Sequence, residues 1–280
     1  MDSMDPNSLK AISDFLPSTT KELLLNDTAD AIGRSVGGLF YLIGSPLIKI
    51  GIIKKQEFYD LTNKAAQKID KIPVDRRDVN KLGLMLKAIE NAKYSLDSEI
   101  LRDYFSELIA SSIDKNNGFY ISPMFSTILA NMSRKDAEFI AKFKDNNAHP
   151  KYSGLAVLNL KTSYSSEYSL DHSDIDPNTF DYLEEHTVIV KNGNSTSYAN
   201  YDQQINFFQA NGILEISFNE YPTEFDAQFD KYSQFKKLEY NIKMLKAKAR
   251  IEASYDQIEL EKGAIKLTAL GKSFVRCVVP

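Results

Sequence analysis

The sequence predicts a mainly helical α+β protein, with an N-terminal helical bundle followed by a winged-helix-like α+β region. Up to about residue 130, apolar residues recur at intervals of three and four, the spacing of amphipathic helices. Beyond it, short runs of β-branched and apolar residues alternate with helical stretches. We therefore expect a flexible lead-in over 1–20, the bundle over 21–130, and a winged-helix-like domain with an inserted long helix over 131–280.

Composition narrows the class of protein. The chain has 280 residues, 43% of them apolar, which is a globular composition. Its net charge of −4 argues against a generally basic nucleic-acid-binding protein, although a local basic patch remains open. The single cysteine, Cys277, fits a reducing cytoplasm, and the start MDSMDPNSLK lacks the basic and apolar regions of a signal peptide. The sequence therefore predicts a cytoplasmic protein.

Val36–Ile53, VGGLFYLIGSPLIKIGII, is the most apolar segment and contains one charge, Lys49. Its glycines form a stripe that would let another helix approach closely, and Pro46 would kink or divide the segment. One interpretation is a buried helix, or two short ones, packed against helices at 57–72 and 99–113. The other is membrane contact, because about 18 apolar residues approach the length that spans a bilayer. The stripe recurs every seven residues, at Gly37, Gly44 and Gly51.

Three amphipathic helices are predicted for the bundle. The first covers Glu57–Ile72, the second Asp78–Tyr94, and the third begins at Glu99, after a capping pair at Asp97 and Ser98, and ends near Ile113. The first helix should bury Phe58, Leu61, Ala65 and Ile69; the second Leu82, Leu86 and Ile89; and the third Ile100, Leu101, Tyr104, Phe105, Leu108 and Ile109.

Two further helices follow a break at 114–118. Ser122-Pro123 matches an N-cap followed by proline at the first helical position, which predicts a helix through Leu129 or Ala130. Ser133 followed by Asp136 resembles a capping box and predicts a helix from Arg134.

Three pieces of the chain, in this order, are similar to the Abi-alpha family, a bacterial domain associated with abortive infection. They are LRDYFSELIASSID at 101–114, ISPMFSTILANMSRKDAEFI at 121–140 and IKLTALGKSFVRCVV at 265–279. The resemblance implies a role in self-sacrificing defence against phage. It transfers no active-site residue to this chain.

The C-terminal half mixes strand and helix signals. Tyr152–Lys161 contains an apolar run that suits a strand or a helix end. Asp174 begins a predicted helix to Glu185, and Thr187–Val190 is a predicted strand followed by a turn at 192–195. A helix is predicted over Gln203–Gln209, with Ile205, Phe207 and Phe208 buried, ending at Asn211-Gly212.

The remaining elements include a long basic helix. A strand at Ile213–Ser217 precedes this helix, which begins at Thr223 or later and ends near Ala253. A hairpin is predicted from Gln257–Leu260 and Ala264–Leu267, with a short helix over Thr268–Phe274. Apolar residues of the long helix recur at helical spacing, at Phe235, Leu238, Ile242, Leu245 and Ala249.

Candidate chemical groups match no established motif, so we predict no catalytic, cofactor-binding or metal-binding residue. Asp171–Asp174 around His172 lacks zinc-ligand spacing, and Glu184–His186 is interpreted as a helix C-terminus. Ser111-Ser112 lacks a nucleophile elbow. Gly33–Gly38 lacks the Lys-Ser/Thr of a phosphate loop, and Cys277 suits a buried structural thiol better than a nucleophile. His149 belongs to no pattern.

The leading hypothesis is a non-enzymatic antiphage-defence protein that acts through protein or membrane contacts. Membrane contact would come from Val36–Ile53, exposed on infection, and would place the protein at the membrane. The phage or host trigger is not identified by the sequence, and homo-oligomerisation is left open.

The alternative is a nucleic-acid-binding regulator that uses the C-terminal module. Lys243, Lys246 and Arg250 on the long basic helix would contact phosphates. A solvated basic face explains the same pattern.

Overall fold

A computed structural model of the chain defines a mixed α+β fold. Over the residues that it describes, eight α-helices accompany one five-stranded antiparallel sheet. The chain divides into two compact units, Met1–Ala141 with Lys272–Pro280, and Lys142–Gly271. The described residues are 48–49, 51, 54–78, 81–145, 154–163, 181–192, 195–218, 220–248 and 257–280.

The first unit is built from helices around a largely buried α3. Helix α3 packs against α1, α2 and α4, and it buries residues such as Tyr104, Phe105 and Ile109. The rings of Phe125 and Phe274 meet edge to face, with centroids 5.2 Å apart. The helices that contribute are α1 (Lys55–Asp70), α2 (Leu82–Ala92), α3 (Glu99–Ile113), α4 (Met124–Ala130), α5 (Arg134–Asp145) and α8 (Ala269–Val278), the last two extending across the division between the units.

Local signals predicted these helices well. Helix α1 buries the four residues expected from its apolar spacing, and α3 begins at Glu99 and ends at Ile113 as predicted. The capping box of α5 is confirmed, because the Ser133 N–H donates to Asp136 Oδ2 at 2.6 Å and the Asp136 N–H donates to Ser133 Oγ at 3.2 Å. The cap predicted for α3 is wrong at Ser98, whose buried hydroxyl makes no capping bond.

The second unit is organised around the sheet, whose strand order is β3-β2-β1-β5-β4. Helix α6 covers Asp202–Ala210, and helix α7 covers Asp226–Lys248. Phe229 and Tyr232 of α7 form a core cluster with Ala156, Leu158 and Ile189. The strands are β1 (Gly154–Ser163), β2 (Asp181–Asn192), β3 (Ser195–Asn200), β4 (Leu214–Ser217) and β5 (Gln257–Leu267).

Two predictions for this unit are wrong. The helix predicted from Asp174 to Glu185 is strand β2 from Asp181 onward, because Asp181, Tyr182 and Glu184 pair with β1. The hairpin predicted at 257–267 is one uninterrupted strand, because β1 pairs with β5 along its whole length. The described residues therefore lack the hairpin that suggested a winged-helix module.

The stretch from Glu261 to Gly263 resembled a turn because it ends in a glycine. A Cβ at Gly263 would lie 2.6 Å from Ser217 O and 2.7 Å from the Phe218 ring. The glycine therefore allows the close approach of the last residue of β4 and of Phe218, rather than a change of chain direction.

Other predictions fall outside the described residues. They include nearly all of Val36–Ile53 and the end of the long helix beyond Lys248. Ile48 and Lys49 are helical, and Gly51 adopts a φ of 73°. Over the part of the chain that the structure describes, no helix is long and apolar enough to cross a bilayer.

Candidate functional site

The polar side chains of the second unit gather at a bulge between β1 and β2. Leu158 lies opposite Thr187 and Leu160 lies opposite Glu184, so β2 contains one residue more than β1 over this stretch. His186 lies within the bulge and adopts a φ of 50°, the only positive φ of a non-glycine residue in the described chain. Such a backbone is disfavoured for residues with a Cβ and requires support from neighbouring groups.

Asn159 supplies that support from β1. Its Oδ1 accepts a 2.9 Å hydrogen bond from the His186 N–H, and its Nδ2 donates to Glu261 Oε2 at 2.7 Å. The Tyr182 hydroxyl lies 3.4 Å from the same Glu261 oxygen. Because Asn159 is buried, its two hydrogen bonds satisfy an amide side chain that water does not reach. The asparagine side chain thus takes the place of a backbone partner at the bulge.

The His186 ring joins β2 to the beginning of α6. Its Nδ1 lies 2.5 Å from Asp202 Oδ1, and Asn206 Nδ2 donates to the same oxygen at 3.2 Å. The Phe218 ring stacks on the imidazole at a centroid distance of 6.2 Å. An imidazole held by a carboxylate is oriented as in proton-transfer sites. Here the pair also anchors the first turn of α6, where an acidic residue is favoured by the helix dipole.

A second network joins β2 to α7 through Glu184. The Tyr232 hydroxyl donates to Oε2 and the Tyr240 hydroxyl donates to Oε1, both at 2.6 Å. Thr187 Oγ1 donates to Oε2 at 3.3 Å, and Lys236 Nζ lies 3.6 Å from Oε1. Four side chains therefore converge on one carboxylate.

The pKa values follow from these contacts. Burial disfavours the Glu184 carboxylate, but hydrogen bonds from the two tyrosines and the charge of Lys236 outweigh it and lower the pKa of Glu184. Burial and then the Glu184 carboxylate raise the pKa of both Tyr232 and Tyr240. At neutral pH the carboxylate is therefore ionised, and both hydroxyls remain donors.

The prediction that Glu184–His186 form a helix C-terminus is wrong, since all three residues lie in β2. Their partners were not predicted, because Tyr232 and Tyr240 lie 48 and 56 residues away from Glu184 and no short motif connects them. His149, His172 with its Asp171–Asp174 neighbours, and Gly33–Gly38 lie outside the described residues.

The remaining candidates, Ser111, Ser112 and Cys277, lie in the first unit. Ser112 Oγ donates to Ile109 O at 2.7 Å, and Ser111 Oγ accepts from Asn117 Nδ2 at 3.3 Å. Cys277 is buried, and burial raises the pKa of its thiol to about 11. Across the described residues, no group of three or more His, Cys, Asp or Glu side chains is arranged to hold a metal ion.

Together, these features define a mixed α+β protein whose second unit uses two polar networks to tie helices to a sheet. Residues 54–278 match the model of the family described as Abortive infection alpha. The chain therefore belongs to the abortive infection alpha family, and the resemblance seen in the three sequence segments is confirmed. Comparison with curated proteins found no match, and neither did comparison with solved structures.

Proposed function

We propose that this chain is a bacterial antiphage-defence protein that causes abortive infection through protein or membrane contacts rather than catalysis. Membership of the abortive infection alpha family supports the proposed defence role. The engagement of Glu184 and Asp202 in joining helices to the sheet supports a structural use of these carboxylates. The proposal places the protein in the cytoplasm, or at the membrane after infection.

The proposed contact segment is Val36–Ile53, which immediately precedes the family match. Lys54 and Lys55 follow the segment and are exposed at the beginning of α1. Basic residues next to an apolar segment are typical of a membrane boundary, where they meet lipid headgroups. The segment would be held by the protein before infection and released by the phage or host trigger.

The defence role is tested by expressing the chain in bacteria challenged with a panel of phages. Abortive infection predicts that a culture survives a low ratio of phage to cells and collapses at a high ratio, with few new phage released. Survival of the infected cells themselves would contradict an abortive mechanism, and equal phage yield with and without the chain would contradict defence.

The contact segment is tested by Leu42→Asp and Ile43→Asp. A charge within an apolar contact is unfavourable, so both variants should no longer protect the culture or appear in the membrane fraction after infection. Their melting temperatures should stay unchanged. Tyr59→Asp, at an exposed position on α1, is the matched control and should protect normally. If the first two variants unfold as they lose protection, the segment belongs to the folded core.

The second candidate function is nucleic-acid binding by the basic end of α7. One observation favours it: the Lys243 side chain is 64% exposed, although it contacts Glu239 at 3.0 Å. Replacing Lys243, Lys246 and Arg250 by alanine should then weaken binding to labelled DNA or RNA and flatten its dependence on salt. Absence of binding by the unchanged chain at low salt would remove this candidate.

A further inference from the structure

The loop that joins α3 to α4 presents an apolar surface to solvent in the first unit. Phe119, Tyr120, Pro123 and Met124 are all exposed there, and Phe119 is 100% exposed. We call these four residues the apolar tip. Large apolar side chains grouped on a surface are typical of interaction sites.

Hydrogen bonds within the loop hold the apolar tip in place. Asn117 O accepts from the Tyr120 N–H at 2.9 Å and from the Ile121 N–H at 3.0 Å. Asn117 Nδ2 donates to Ser111 Oγ on α3 at 3.3 Å, which joins the loop to the helix before it. Phe119 is therefore presented by a folded loop, and such a surface loses little conformational entropy when a partner covers it.

Three cationic side chains contact the loop or its neighbouring turn. Lys81 Nζ and Lys115 Nζ each donate to a main-chain oxygen, at 2.5 Å and 2.6 Å, and Arg276 Nε donates to the Asn117 amide oxygen at 3.1 Å. All three acceptors are neutral, so these bonds leave the positive charges uncompensated.

The surroundings of the apolar tip are positively charged overall. Over 75–81 and 114–124, with Arg276 added, five basic residues outnumber three acidic ones. One of the three, Asp114, is already bound by Arg76, whose Nη2 lies 2.5 Å from its Oδ2. This local charge is opposite in sign to the net charge of −4 of the whole chain. The tip therefore suits a partner that is both apolar and anionic.

We infer that the apolar tip inserts into the surface of a bilayer that contains anionic lipid, while Lys81, Lys115 and Arg276 meet the headgroups. Aromatic and aliphatic side chains enter the boundary between headgroups and acyl chains, and anionic headgroups attract the cations beside them. The inference rests on the membrane contact proposed above. It adds a second contact, separate in sequence from Val36–Ile53, and a preference for anionic lipid.

The chemistry of the tip favours a bilayer over other occupants. A second copy of the chain would bring an equal positive charge against the first, which is unfavourable. Nucleic acid would also attract the cations, but bases need open aromatic faces, and the Arg276 guanidinium lies over the Tyr120 ring at 4.1 Å from its centroid. Pro123 and Met124 add apolar volume without an aromatic face, which suits acyl chains.

Insertion is tested by sedimenting the full chain with sucrose-loaded phosphatidylcholine vesicles, with and without phosphatidylserine. The chain should sediment with the anionic vesicles, and Phe119→Ala should lower its partition coefficient at least about tenfold. Tyr94→Ala is the matched control, because Tyr94 is 70% exposed, lies beyond the other end of α2 from Lys81, and has Lys93 Nζ 4.9 Å from its ring centroid. Thermal melts should be unchanged for both variants.

The role of charge is tested by Lys115→Glu with the same anionic vesicles. A reversed charge beside the headgroups should lower the partition coefficient at least about fivefold. Lys135→Glu is the matched control, because Lys135 is exposed on α5 and its replacement changes the net charge by the same amount. Equal losses for the two variants would overturn the part assigned to Lys115.

The outcomes separate this inference from the proposed function. No sedimentation of the unchanged chain with anionic vesicles, or equal sedimentation of Phe119→Ala and Tyr94→Ala, would overturn the inference. Loss of sedimentation in Leu42→Asp but not in Phe119→Ala would overturn it too, and would leave the contact proposed for Val36–Ile53 standing. Loss in Phe119→Ala but not in Tyr94→Ala would support the apolar tip even if the phage challenge shows no defence. Binding to labelled DNA that depends on Phe119, without binding to vesicles, would overturn the choice of a bilayer.

Discussion

The hydroxyl of Tyr232 donates a 2.6 Å hydrogen bond to Oε2 of Glu184, which ties the buried face of α7 to strand β2. Tyr232 also packs its ring into the core cluster and against the Tyr198 ring, at a centroid distance of 4.9 Å. One side chain thus contributes both apolar burial and a charge-assisted hydrogen bond. The bond acts together with the core packing of Phe229 and Tyr232 to hold this face of α7 on the sheet.

Tyr232→Phe should keep the apolar packing and remove the hydrogen bond. Bonds to a charged partner contribute about 1.5–3 kcal/mol, so we expect a loss of that order in the free energy of unfolding, measured by urea denaturation. Tyr240→Phe is the matched comparison, since Tyr240 donates to the other oxygen from a less buried position. An equal or larger loss for Tyr240→Phe would contradict the importance of burial at Tyr232.

The lowered pKa of Glu184 predicts how acid affects stability. Its folded pKa lies below the ordinary value of 4.5, so its ionised form stabilises the fold above that pH. This contribution is lost as the pH falls below 4.5 and through the folded pKa. Glu184→Gln should be less stable than the unchanged chain at pH 7, and the difference should shrink in acid. Unfolding free energies that stay equally far apart at every pH would contradict this.

The positive φ of His186 predicts that a glycine variant is more stable than an alanine variant at this position. Both His186→Ala and His186→Gly lose the contact with Asp202, but only glycine adopts a φ of 50° without steric cost. His186→Gly should therefore be more stable than His186→Ala by about 1 kcal/mol. Thermal melts of the two proteins compare them directly, and an alanine variant at least as stable as the glycine variant would refute the strain.

Two helical glycines should respond oppositely to alanine. A Cβ at Gly271 would lie only 2.0 Å from Ile213 O, so Gly271→Ala forces α8 and the segment before β4 apart, with a loss of about 1–3 kcal/mol. Gly83 is exposed in α2, and a Cβ there meets nothing within 4 Å. Gly83→Ala should stabilise by up to about 1 kcal/mol. Denaturation midpoints that shift in the same direction would contradict the packing argument.

Elements with local signals were readable from the sequence. The apolar spacing of α1 and α3 and the capping box at Ser133 and Asp136 involve residues three or four positions apart. Such interactions form within one helix, so neighbouring residues suffice to predict them. The family resemblance rested on three short segments, at 101–114, 121–140 and 265–279, and the match over residues 54–278 confirmed it.

The sequence-based predictions were wrong for two elements whose pairing strands are distant in sequence. The segment around Leu183 and Glu184 contains good helix formers, yet pairing with β1 makes it a strand. The Glu261–Gly263 stretch resembled a turn, yet β1 pairs across all of it. In both places, hydrogen bonds to strands distant in sequence outweigh a weak local preference.

By itself, the sequence determined the family, the α+β composition and the helices of the first unit, because residue order fixes apolar periodicity and capping. Only the tertiary structure decided the sheet order, the bulge at His186 and the convergence of Tyr232 and Tyr240 on Glu184. It also decided that Phe235 and Leu238 face solvent rather than the sheet. Helical spacing shows that residues share a face, but only the packing of the whole unit determines which face is covered.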